Sequence, residues 1–147
     1  MGHVVANITI KGEKGESALT EILVDTGATY TMLSPEVVKQ VGAIKASFTM
    51  DVELGDGRKV KAEVYYALAS IDGREGPAII LSFAGAKEVV GVQTLESLGL
   101  KLDPATGKLE STRPKGVAYF YTFCHCESKT WQSHETPYST LLAKKQK

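Results

Sequence analysis

The chain has 147 residues, 43% of them hydrophobic, and 17 Lys plus Arg stand against 17 Asp plus Glu for a formal net charge of zero. That length supports one core of ordinary size rather than two well-developed ones, and the balanced charge removes the electrostatic case for nucleic acid or an anionic membrane surface as partner. No apolar run approaches the roughly 18 residues of a membrane span and the N-terminus lacks a secretory pattern, so a soluble, cytoplasmic protein is expected.

Taken in chain order, Val4, Ala6, Ile8 and Ile10 alternate with more polar residues. After a Gly12 to Gly15 turn a second alternating run rises from Leu19 to Val24, which predicts a hairpin. Ser34-Pro35-Glu36 starts a short helix with Val37, Val38 and Val41 on its apolar face, and Gly42 ends it. Phe48, Met50, Val52 and Leu54 share one face of a strand. Gly55-Asp56-Gly57 reverses the chain, and Val60, Ala62, Val64 and Tyr66 share one face of the return. Further strands are predicted at Ala67 to Ile71 and Ala78 to Phe83, with Asp72-Gly73 and Gly76-Pro77 as punctuation. Beyond Val89-Val90-Gly91, Leu95 and Leu98 before Gly99 fit a second short helix. A turn over Asp103 to Gly107 then separates two final short strands.

The compact pattern ends near Glu110, giving a domain over residues 1–110 and an extension over 111–147 whose role stays open. The extension is rich in aromatics (Tyr119, Phe120, Tyr121, Phe123, Trp131, Tyr138). Val117 to Cys126 reads either as a strand for a sheet edge or dimer interface, or as a sticky appendage. Cys124-His125-Cys126 with His134 could be taken for zinc ligands, but one-residue spacing does not match structural zinc patterns, so no metal is expected.

Ile22-Leu23-Val24 is a buried-strand signature that runs into Asp25-Thr26-Gly27-Ala28, a carboxylate on a tight turn. Such an aspartate can cap the turn through nearby backbone amides, or it can do chemistry; the tripeptide alone does not separate the two. Together with the Ser34-Pro35 helix, the Gly55-Asp56-Gly57 hairpin and Val89-Val90-Gly91 followed by Leu95 to Leu100, the segment resembles the retropepsin-like aspartic peptidases, most nearly the prokaryotic members, over about residues 4–110.

The resemblance implies an all-β acid-protease fold, a closed β-barrel with one or two short helices. It implies Asp25 as a catalytic carboxylate supported by Thr26, Gly27 and Ala28, Gly55, Asp56 and Gly57 as a flap, and Val89, Val90 and Gly91 packed beside the catalytic loop. Thr26 would bond across a dimer, and Gly27 would leave its backbone free for substrate. The chain holds one such motif, Asp51, Asp56, Asp72 and Asp103 lying in other contexts, so the second carboxylate would come from a twin across a twofold axis. Two carboxylates about 3 Å apart share one proton and activate a water against a peptide bond, with no metal or organic cofactor. The expected partners are therefore a second copy and a peptide or protein substrate.

Ala28 stands where pepsin-like enzymes commonly have Ser, which implies an optimum less acidic than theirs. Thr29 and Val92 stand where retroviral enzymes carry an ion-paired Asp and Arg, and Asp56 and Arg58 make the flap tip polar. The alternative is a non-catalytic module of the same fold that dimerises or binds peptides.

Overall fold

In the computed structural model, residues 3–118 are described, and the contacts divide the chain into Met1–Gly116 and Val117–Lys147. The aromatic segment from Tyr119 onward and the Cys124, His125, Cys126 and His134 set lie outside the described residues. Among the described residues no helix is long and apolar enough to cross a membrane.

Strand β1 (Val5–Lys11) pairs antiparallel with β2 (Glu16–Val24), as the alternation predicts. The register slips between Ala6 and Ile8, where Glu21 sits at φ 53° and donates its N–H to the Asn7 side chain at 3.0 Å. This bulge lets one face of β1 bury Ala6, Ile8 and Ile10 while β2 bends toward the loop after Val24. A two-residue strand β3 (Thr31–Met32), not foreseen from the sequence, leads into α1 (Pro35–Val41). Ser34 occupies the N-cap of α1 without a side-chain cap bond, and Gly42 closes it at φ 69°.

Strand β4 (Ile44–Glu53) and β5 (Lys59–Ile71) form the long hairpin, and β5 turns into β6 (Arg74–Ser82) through Asp72 and Gly73, both at positive φ as a tight two-residue hairpin turn requires. Two expectations change here. Ala67 to Ile71 is no separate strand but the continuation of β5. The apolar face changes phase along it: Ala62 and Val64 face one cluster, whereas Ala69 and Ile71 face the other. Gly76-Pro77 does not punctuate; both residues lie inside β6, where a Cβ at Gly76 would stand 2.6 Å from the Ser97 hydroxyl.

Strand β7 (Val89–Val90) and helix α2 (Val92–Leu98) follow, then a separate two-stranded sheet of β8 (Leu100–Asp103) and β9 (Lys108–Ser111). The large sheet runs in the order β1-β2-β7-β3-β6-β5-β4, and β1 also pairs with β5. The strands therefore close into a ring with β4 as a flank. This is an all-β acid-protease architecture with two short helices. Inside the ring Ile8, Ile10, Leu33, Val41, Ile80 and Val90 are almost fully buried. A smaller cluster of Ala62, Val64 and Leu81, with Met32, Met50 and Val52 packed on it, lies beneath the long hairpin. Both clusters stand on burial of apolar side chains, which contributes about 1.5 to 3 kcal/mol for each large one fully removed from water.

Candidate active site

Two hydrophobic strand ends meet behind the key loop. Leu23 and Val24 of β2 run parallel to Val89 and Val90 of β7, and the Asp25 N–H extends the ladder by donating to the Val90 carbonyl at 3.0 Å. The chain then turns tightly, with the Ala28 N–H on the Asp25 carbonyl at 3.1 Å and the Gly27 N–H on Asp25 Oδ1 at 2.8 Å. The turn-capping role of Asp25 is thus present, but it occupies one carboxylate oxygen. Among the described residues no donor is bonded to Oδ2, and the side chain is exposed.

The far side of the loop hangs from α2. Its first amides have no capping side chain and donate instead to the loop, Val92 N–H to the Ala28 carbonyl and Gln93 N–H to the Thr29 carbonyl, each at 2.9 Å. Backbone bonds therefore join the two segments that carry Thr29 and Val92. Gly91 makes the approach feasible, since a Cβ there would stand 2.4 Å from the Tyr30 carbonyl group.

The hairpin of β4 and β5 supplies the opposite wall. Its tip is a turn in which the Gly57 N–H donates to the Leu54 carbonyl at 2.9 Å, with Gly57 at φ 87°, and the Leu54 N–H donates to the Arg58 carbonyl at 2.8 Å. Asp25, Gly27 and Ala28 share a groove of about 630 Å³ with Met32, Met50, Leu81 and Gly55. The structure thus brings the aspartate loop and the hairpin together. Thr26 faces elsewhere, lining with His3, Val4, Leu102 and Pro104 a second hollow of about 910 Å³ that Asp25 also borders.

Asp56 and Gly57 sit at the hairpin tip. There the Asp56 carboxylate accepts the Arg58 N–H at 3.0 Å and the Arg58 guanidinium at 2.7 Å, and these bonds, the backbone one first, hold its carboxyl below the ordinary value. The polarity of the tip is largely turned on itself.

A family model described as aspartyl protease matches residues 6–81, just over half of the 147 residues. The chain belongs to the retropepsin-like aspartyl protease family. A comparison with curated proteins found no match for the chain. The residues matched to the aspartyl protease family include the Asp25 loop and the Gly55 to Gly57 hairpin. Val89, Val90, Gly91 and α2 come after the matched stretch and are tied to the loop by the hydrogen bonds described above.

Sequence reasoning missed four polar residues that hold this aspartyl protease loop in place. Thr31 Oγ1 accepts the Gly91 N–H at 3.2 Å and lies 2.6 Å from Thr94 Oγ1, with both threonines fully buried. The Gln93 side chain accepts the Ile79 N–H at 2.9 Å, and Ser97 Oγ donates to the Pro77 carbonyl at 2.6 Å, so α2 is fastened to β6. One signal was available: Thr94 falls on the same helix face as Leu95 and Leu98, and a hydroxyl in an apolar stripe requires a buried partner.

Proposed function

We propose that the chain is one half of a homodimeric aspartic endopeptidase, with Asp25 from each subunit forming the catalytic pair. The observation that carries this reading is the placement of Asp25, in a loop tied by backbone bonds to β7 and α2, lining the groove beneath the hairpin with no donor on Oδ2 among the described residues.

A twin seated against the Thr26 side would bring the second Asp25 to the first. Two carboxylates at about 3 Å hold one proton between them. The ionised member takes a proton from a water held by the pair as the water oxygen adds to the scissile carbonyl carbon, and the protonated member donates to the carbonyl oxygen. The resulting gem-diol collapses, the C–N bond breaks, and a proton from the dyad goes to the leaving nitrogen. Gly27 leaves room for a peptide backbone, and the Gly55 to Gly57 hairpin covers the substrate and excludes water. Thr26 bonds across the twofold axis and sets the spacing of the two loops. No metal or organic cofactor enters these steps.

The test is cleavage of an unstructured protein over roughly pH 3 to 8 by the wild type and Asp25→Asn. Loss of at least about a hundredfold in rate, with the dimer retained on sedimentation, supports the reading. No cleavage by the wild type at any pH, with a dimer still present, points to a dimerising or peptide-binding module on the same fold.

A further inference from the structure

We propose that the apolar row Ile44, Tyr66 and Ile79 lengthens the groove into a docking strip for an extended apolar segment of the polypeptide substrate, an inference that rests on the endopeptidase reading. The register places the row. Ile44 pairs with Tyr66 across β4 and β5, and Tyr66 pairs with Ile79 across β5 and β6, so the three side chains stand on one face of the sheet.

That face is the groove's own. Two residues along β5, Val64 pairs with Leu81, and two further, Ala62 pairs with Met50; Leu81 and Met50 line the groove beside Asp25. Alternation keeps positions 62, 64 and 66 on the same side.

Exposure distinguishes the strip from the cluster it continues. Ala62 and Val64 are buried, whereas Ile44 is 51% and Tyr66 41% exposed. Phe48, on the same strand, is 52% exposed where β4 carries extra residues between Lys45 and Thr49. The charged groups of this region are sorted onto the other positions: Lys45 and Glu63 pair at 2.9 Å, and Lys61 and Asp51 at 3.5 Å. An uncharged strip opening from a cleft suits apolar polypeptide, which is exposed in unfolded chains and hidden in folded ones.

The distances set a length. The row of exposed Ile44 and Tyr66 with half-buried Ile79 lies two residues along the sheet from the row that holds Leu81, about 7 Å, and an extended peptide covers about 3.3 Å per residue. Contact should therefore begin about two to three residues beyond those held in the groove.

The experiment compares two fluorogenic peptides sharing one cleaved core, a short one of about six residues and a long one extended at both ends by about four apolar residues. Against wild type, the separate variants Tyr66→Thr and Ile44→Thr are used, both keeping β propensity at exposed positions. The expected result is a KM for the long peptide several-fold below that for the short one in the wild type. In the variants that advantage is lost, with kcat for both peptides and KM for the short one unchanged.

Equal KM values for the two peptides in the wild type overturn the proposal, as does an equal effect of the variants on both peptides. Loss of an assembly larger than the dimer in the variants, with peptide KM unmoved, overturns it in favour of a second copy on the strip. Failure of the wild type to cut either peptide refutes the endopeptidase reading instead. The strip is then read by anisotropy of the labelled long peptide, where equal binding to wild type and Tyr66→Thr overturns it.

Discussion

The hydroxyl oxygens of Thr31 and Thr94 lie 2.6 Å apart in a fully buried contact that joins β3 to α2. Thr31 carries a second bond, from the Gly91 N–H, so the two threonines are not equivalent. Thr94→Val leaves one hydroxyl without that partner and is expected to cost about 1 to 2 kcal/mol, while Thr31→Val also strands a buried amide and is expected to cost about 2 to 3 kcal/mol. In urea unfolding the double variant should lie close to Thr31→Val alone. Additive losses would show that the hydroxyls act independently.

Gly91 and Gly55 both sit in blocks that the family resemblance singles out, yet they differ in what surrounds them. A Cβ at Gly91 would collide with the backbone of Tyr30 and Ala28, whereas one at Gly55 meets nothing within 4 Å. Gly91→Ala is expected to lower stability by about 3 kcal/mol. Gly55→Ala is expected to fall within about 0.5 kcal/mol of wild type, as surface changes usually do. Thermal melts of the pair check both.

Tyr65 donates its hydroxyl to Glu63 at 2.6 Å, and Lys45 bonds the same carboxylate at 2.9 Å. The bond to Glu63, then burial, then the Glu63 charge push the Tyr65 hydroxyl up to about 12. A raised folded value means that the stabilisation is complete below the unfolded tyrosine value of about 10 and is lost as pH rises through about 12. Glu63 is shifted down, first by Tyr65 and then by Lys45, so its contribution is present above the ordinary carboxylate range and lost as pH falls through the lower folded value. A phenolate absorbance titration should show a late-ionising component from Tyr65 in the folded protein, lost in Tyr65→Phe and moved toward 10 in Glu63→Gln.

Ser82 ends β6 with its hydroxyl buried and without a partner among the described residues. Removing an unpaired buried hydroxyl is expected to leave stability unchanged or raise it by about 1 kcal/mol. Ser82→Ala in chemical denaturation checks this, and a loss of more than about 1 kcal/mol would reveal a partner such as a bound water.

Much of this arrangement was legible in the residues because strand alternation, the two helix-ending glycines and the Asp25 loop are local signals. What was not legible is mostly long-range. The two-residue strands β3 and β7 are too short to carry a period, and the phase change in β5 made one strand read as two. Gly76-Pro77 looked like a turn because nothing local shows Ser97 lying across it. The support of the Asp25 loop by the α2 amides and the buried threonines joins residues more than sixty positions apart, a separation that spacing along the chain does not report.

The pairing of Asp25 with its twin is tested most directly by mixing wild type and Asp25→Asn under conditions where subunits exchange, at fixed total protein, and following the initial rate of cleavage. If each active site needs both carboxylates, mixed dimers are inactive and the rate falls with the square of the wild-type fraction, leaving about a quarter at an equal mixture. A rate that falls in direct proportion to the wild-type fraction would show that one Asp25 suffices and would contradict the shared site.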